Sequence, residues 1–126
     1  MSDLCEHATL DVVLFSAGEW RAGFEARLVR SSRPALANAS GKTIETQLGL
    51  APPAGATPRQ YLELKRAQDV REVLVGAPVE LVTLPASSIY PLPPLLAARC
   101  KLHGLRALAL EQDAKAVVLL FEPAAV

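Results

Sequence analysis

The chain has 126 residues, of which 51% are hydrophobic and only 5% aromatic, and its 13 Lys and Arg balance its 13 Asp and Glu. This length suits one ordinary domain with an aliphatic core, large enough to fold without metals or disulfides. Because the net charge is zero, the protein as a whole has no electrostatic field that would attract nucleic acid or an anionic membrane. A nucleic-acid-binding protein and a membrane-binding protein are therefore both disfavoured.

The amino terminus and the cysteines indicate where the protein works. Residues 1–20 lack a basic start and a continuous apolar run, so we expect no signal peptide and no membrane-spanning segment. Cys5 and Cys100 fit reduced thiols, and two cysteines alone define no disulfide framework. We therefore expect a cytoplasmic protein without direct membrane insertion.

The first predicted elements form a β-hairpin. Leu10–Phe15 is an apolar run of strand length, and Gly18 supplies the turn that follows it. From Trp20 to Val29 the apolar residues alternate with a period close to two, which is typical of a half-buried strand. The polar stretch 30–42 is broken by Pro and Gly and is interpreted as a connection.

A short helix is predicted next, at residues 43–50. Ile44 and Leu48 are four positions apart and therefore share one helical face. Thr43 is a suitable amino-terminal cap, and Gly49 is a suitable terminator.

Residues 51–58 contain three prolines and one glycine in eight positions. Such a composition is typical of a linker between two halves of a fold or of an exposed loop. We expect a single domain over residues 1–126, with subdomains at about 9–50 and 61–122 connected by 51–58.

The second half contains more short strands, which are predicted at Tyr61–Leu64, Val70–Val75, Val79–Leu84, Leu105–Leu110 and Ala116–Phe121. The last two are expected to form a closing hairpin. Gly76-Ala77-Pro78 interrupts the pattern, and because Pro78 has no amide donor this point must be a bulge, an edge or a break. Strands this short and numerous favour barrels or sandwiches over a parallel sheet with crossover helices.

Few residues suggest a catalytic or metal-binding site. The chain has no glycine-rich phosphate loop, no GxSxG sequence and no paired carboxylates on a helical face. Cys5, His7, Cys100 and His103 are legitimate zinc-ligand types, but their spacing is unusual and a thiol at Cys100 in an apolar stretch suits plain packing. We expect no catalytic residue, cofactor or bound metal. The alternative is a small metal-binding or ligand-binding β-barrel protein that uses these four residues.

The order of elements from Val70 to Leu105 resembles that of CheW-like domains, the coupling modules of bacterial chemosensory arrays. The matching positions are Val73-Leu74-Val75, Leu81-Val82, Leu84-Pro85, Ile89, Pro91, Pro93 and Gly104-Leu105. The resemblance extends over about residues 9–122. Gly76 replaces the acidic residue usual in the family, the Asn-Leu-Arg-Gly signature is missing, and the first half looks shortened by about one strand, so the chain resembles a divergent member.

The resemblance implies a mainly β fold of two small five-stranded β-barrels side by side, with one or two short helices. It also implies a non-enzymatic adaptor for two-component signal transduction, in chemotaxis or in a related motility or pilus pathway. The expected partners are the regulatory domain of a CheA-type histidine kinase and the cytoplasmic tip of a chemoreceptor.

A partner-binding site is predicted at Val75, Gly76, Pro78 and Val79. Pro78 cannot donate to a sheet ladder and Gly76 has no side chain, so a partner backbone would be able to approach closely. The two valines would supply apolar contact.

Overall fold

The computed structural model describes residues 8–35, 41–55, 58–66, 68–93, 95, 104–111 and 116–123. The chain is mainly β, with strands β1 Thr9–Ala17, β2 Trp20–Glu25, β3 Val29–Pro34, β4 Arg59–Lys65, β5 Val70–Pro85, β6 Ile89–Pro91, β7 Leu105–Glu111 and β8 Ala116–Phe121. The helix α1 spans Ile44–Leu48. Two 3₁₀ turns, Ala26–Leu28 and Ala86–Ser88, occupy corresponding places, since one joins β2 to β3 and the other joins β5 to β6.

The strands form one curled sheet in the order β3-β4-β5-β1-β2-β8-β7-β6. Neighbouring strands are antiparallel except β2 and β8, which are parallel. Strand β5 has 16 residues and pairs with β4 through positions 70–76 and with β1 through positions 76–85. The β1–β5 pair therefore runs through both halves of the molecule.

The two faces of this sheet enclose two hydrophobic cores, because side chains alternate along each strand. The first core contains Phe15, Ala17, Ala22, Phe24, Ile44, Leu48, Leu62, Leu64, Val73, Val75, Leu119 and Phe121. The second core contains Val12, Leu14, Leu84, Ala107, Ala109, Val118 and Leu120. The predicted mainly β fold of two side-by-side barrels is confirmed. The subdomain limits 9–50 and 61–122 stay a prediction. Strands β1, β5 and β8 each contribute side chains to both cores.

The two cores differ in the side chains that fill them. In the first core, the rings of Phe15 and Phe24 pack with centroids 5.2 Å apart. Among the described residues, the buried members of the second core are all Val, Leu or Ala. Gly23 of β2 faces this core at a position with no room for a side chain, because a Cβ there would lie 2.8 Å from Val12 Cγ1 and 2.9 Å from Leu14 Cδ2.

The short helix confirms the sequence-based prediction. Thr43 caps it by accepting a hydrogen bond from the Thr46 N–H at 3.4 Å, and Gly49 ends it with a φ of +80°. Ile44 and Leu48 are fully buried in the first core. None of the described helices is long and apolar enough to span a membrane.

The strand predicted from Trp20 to Val29 is wrong in its second half. Strand β2 ends at Glu25, a 3₁₀ turn follows, and β3 occupies Val29–Pro34, which after Val29 lies within the stretch 30–42 predicted to be a connection. Every residue of β3 after Val29 is exposed. An edge strand that faces solvent needs no apolar alternation, so the pattern did not reveal it.

At Gly76-Ala77-Pro78, where a bulge, an edge or a break was predicted, the structure has a bulge. Strand β5 is continuous, but its register with β1 shifts between the pairs Leu14–Glu80 and Ser16–Gly76. Positions 77–79 therefore oppose Phe15 alone, and Pro78 lies in this bulge, where it needs no ladder bond.

Candidate partner-binding groove

A groove of about 340 Å³ lies between β3 and the β1–β5 pair. The residues that line it are Val13, Ala26, Val29, Arg30, Ser31, Ser32, Val79 and Leu81. They come from three separate stretches of the chain, which only the folded sheet brings together. We refer to this feature as the groove.

The floor of the groove is an apolar extension of the first core. Val13 of β1 is paired with Leu81 of β5, and Val13 and Val79 both pack against the first core while remaining partly exposed. Leu81 lies beyond the edge of that core, and 70% of it is exposed. Burying the exposed part of the Leu81 side chain would contribute about 1–2 kcal/mol to the free energy of binding a partner that covers it.

The opposite wall is formed by the 3₁₀ turn and β3. Ala26 and Val29 add apolar surface, while Ser31, Ser32 and the exposed Arg30 form a polar rim. An apolar centre with a polar rim is the usual arrangement of a protein–protein interface. The groove is therefore suited to bind an apolar side chain of a protein partner.

The β5 segment on the floor is held by contacts other than a regular ladder with β1. The N–H of Ala77 donates to the carbonyl oxygen of Pro58 at 3.0 Å, and the N–H of Val79 donates to Gln60 Oε1 at 3.0 Å. These donors are satisfied within the protein, so a partner would meet side chains here rather than free N–H groups.

The structure places the predicted partner-binding residues in different environments. Val75 is fully buried in the first core, and Gly76 packs against Ser16, whose carbonyl oxygen would lie 2.7 Å from an added Cβ. Pro78 is exposed, and Val79 lines the groove. The partner site itself stays a prediction, and Pro78 and Val79 are its surface members.

Leu81 was not among the predicted site residues, although the sequence carried a signal for it. Val79, Leu81, Val82 and Leu84 place apolar residues on both faces of one short strand stretch. A strand with two apolar faces needs cover on both, and the described structure covers Val82 and Leu84 but not Leu81.

A second exposed apolar surface lies on β2, β8 and β7. Arg21 is beside Val118 in the β2–β8 register, so Trp20 and Val117 come one position earlier on adjacent strands. Val117 in turn is paired with Leu110. The three apolar residues, 51%, 45% and 43% exposed, form a row across the sheet that we call the Trp20 row.

The alternative zinc ligands Cys5, His7, Cys100 and His103 lie outside the described residues. Within the part of the chain that the structure describes, no three His, Cys, Asp or Glu side chains are grouped closely enough to hold a metal ion.

Comparison with solved structures identifies the fold. The chain is similar to the crystal structure of the scaffolding protein TtCheW from Thermoanaerobacter tengcongensis, with a TM-score of 0.68 and 13% sequence identity. The match covers 91% of this chain and 90% of that one. The chain has a CheW-like fold. No protein-family model and no curated protein matches its sequence.

The CheW-like fold covers both barrels, because so little of either chain is left out of the match. The resemblance predicted from Val70 to Leu105 is thus confirmed for the fold as a whole, although identity is low. The groove lies where β1 and β5 pass from the first core to the second.

Proposed function

We propose that this protein is a non-enzymatic cytoplasmic adaptor that couples a chemoreceptor to a histidine kinase, in chemotaxis or in a related motility or pilus pathway. The observation that carries the proposal is the groove, with Leu81 largely exposed on its floor, on a CheW-like fold. The partners are the regulatory domain of a CheA-type kinase and the cytoplasmic tip of a chemoreceptor.

The physical basis of the proposal is a rigid apolar surface that the cores do not use. The backbone of Val13 and Leu81 is held by the β1–β5 ladder, so the positions from which their side chains extend are set before a partner arrives. Preorganised apolar surface binds with a smaller loss of conformational entropy than a flexible loop does. We assign the groove to one partner, whose apolar side chain occupies its centre.

Coupling requires a second surface that stays free when the first is occupied. The Trp20 row lies on β2, β8 and β7, whereas the groove is lined by β1, β3, β5 and the first 3₁₀ turn. No residue belongs to both. We therefore assign the second partner to the Trp20 row, which allows one adaptor molecule to hold both proteins at once.

Purified components test this proposal. The adaptor is titrated by calorimetry with a CheA-type regulatory domain and with a receptor-tip fragment, first separately and then together. We expect binding to each partner and a ternary complex on size-exclusion chromatography. Failure to bind either partner, or competition between the two for one site, would contradict the proposal.

A further inference from the structure

Arg21 on β2 is bonded to acidic residues on two other strands. Its Nη2 lies 3.0 Å from Glu80 Oε2 on β5 and 3.2 Å from Glu111 Oε2 on β7, and its Nε donates to the same Glu111 oxygen at 3.3 Å. The side chains of Arg21 and Glu111 are 24% and 15% exposed, so both are substantially shielded from water. We call these three residues the Arg21 clamp.

The clamp lies at one end of the second barrel, between strands that are not neighbours in the sheet. Strands β1, β2 and β8 separate β5 from β7, and no backbone ladder joins β5 to β7 among the described residues. A cavity of about 350 Å³ lies between them, lined by Glu80, Val82, Thr83, Leu84, Pro85, Leu110 and Glu111. Arg21 spans this opening by side-chain contacts in place of a ladder.

Glu80 lies between Val79 and Leu81 in sequence. Because strand side chains alternate, Glu80 points to the second-core side while its two neighbours point into the groove. Just before this point β5 is bulged and its register with β1 shifts. A bulge disrupts the ladder locally and increases the twist of the strand, so anchoring Glu80 restricts the orientation of the groove residues on either side of it.

We propose that Arg21 is a positioning residue for the groove: through Glu80 it fixes Val79 and Leu81 in the orientation that receives a partner. This inference rests on the proposed function insofar as the groove is the partner site. A guanidinium suits this role because it is planar and carries several N–H donors, so it can donate to two carboxylates at once with little loss of side-chain entropy for each hydrogen bond. Glu111 holds the guanidinium, and Glu80 transmits its position to β5.

The first test requires no partner. Glu80→Ala removes the acceptor on the β5 side of the clamp and leaves the Arg21–Glu111 pair intact, whereas Arg21→Met removes both contacts. Arg106→Met is the matched control, since it breaks the ion pair with Glu122 at 2.6 Å. The measurement is methyl relaxation of Val79 and Leu81 by NMR in the free protein.

We expect larger methyl motion at Val79 and Leu81 in both clamp variants and no change in the Arg106→Met control. Unchanged groove methyls in folded Glu80→Ala protein would overturn the inference, and this variant is at a half-exposed position and should fold even if Arg21→Met does not. Equal effects in the control would also overturn it, because loosening would then be general.

The second test uses the kinase regulatory domain and the receptor-tip fragment. Each clamp variant is expected to raise the Kd of the groove partner about two- to fivefold. The double variant should raise the Kd no more than Arg21→Met alone does, because Arg21→Met already removes the contact between Arg21 and Glu80. Fully additive effects would contradict the clamp. If the wild type binds neither partner, the proposed function fails while the methyl measurement still decides the clamp.

Discussion

Val13 and Leu81 are directly paired across β1 and β5, yet Val13 is partly buried against the first core and Leu81 is 70% exposed. The apolar face of the sheet therefore continues past the edge of the core that it serves. An isolated exposed leucine is ordinary on a protein surface. Here it lies next to Val79 and faces a wall formed by β3, which makes it part of a groove.

Leu81→Arg is expected to weaken binding of the groove partner by about 2 kcal/mol, because a charge is placed in the centre of an apolar interface. The free protein should stay folded, since the side chain is already mostly in water. Val70→Arg is the matched control, on the same strand, 46% exposed and outside the groove. Calorimetric titration measures both, and equal affinities for the two variants would argue against the groove.

Val79→Arg tests the member of the sequence-predicted site that lines the groove. Binding should again weaken, on the order of 2 kcal/mol. Val79 also packs against the first core, so the free energy of unfolding should fall as well, unlike in Leu81→Arg. Urea denaturation and titration of the same sample separate the two effects. Unchanged affinity in a folded variant would exclude Val79 from the interface.

The ion pair between Glu45 and Arg59 should be the most sensitive charged contact for stability. Glu45 is 2% exposed, with Arg59 Nη2 2.8 Å from Oε1 and both Arg59 Nη1 and the Gly18 N–H donating to Oε2. Removing one partner of a buried pair leaves an uncompensated charge. Arg59→Met should therefore lower the free energy of unfolding by about 3–5 kcal/mol.

Arg106→Met is the control for that measurement, because its pair with Glu122 is largely exposed and such pairs contribute about 0–1 kcal/mol. Urea denaturation at constant salt compares the two variants. Similar midpoints for Arg59→Met and Arg106→Met would show that Glu45 is not the buried anchor between the β1–β2 turn, α1 and β4.

Gly76→Ala should destabilise the protein by about 1–3 kcal/mol, because the added Cβ meets backbone that has little room to move. It would lie 2.7 Å from the Ser16 carbonyl oxygen and 2.9 Å from the Ser16 Cβ. Gly55→Ala is the matched control, since none of the described residues other than its chain neighbours lies within 4 Å of a Cβ there. Thermal unfolding measures both, and a neutral Gly76→Ala would mean that β1 and β5 separate easily at the bulge.

Local patterns in the sequence predicted the features that depend on near neighbours. The helix at Ile44–Leu48 followed from its cap and its i, i+4 spacing, and the hairpin β7–β8 followed from two aliphatic runs. Both are decided within a few residues of the chain. Strand β3 was missed because an exposed edge strand carries no apolar period, and a polar sequence there resembles a loop.

The candidate site was predictable only in part, because it is non-local. The segment at Pro78 and Val79 was identified from its missing donor and its apolar neighbours, but the burial of Val75 depends on the first core, to which α1 and β4 contribute. The groove depends on β3 lying opposite β5, and β3 was not predicted. The buried ion pair of Glu45 in α1 likewise depends on Arg59, which is 14 residues away on β4.

The most direct measurement of the central claim is methyl chemical-shift mapping of the adaptor during titration with its two proposed partners. One partner should shift the methyls of Val13, Val29, Val79 and Leu81 as a group, while Leu110 and Val117 respond to the other. Leu62 and Val73, fully or almost fully buried in the first core, serve as internal references. If both partners bind but neither shifts the groove methyls, then the groove is not the coupling surface.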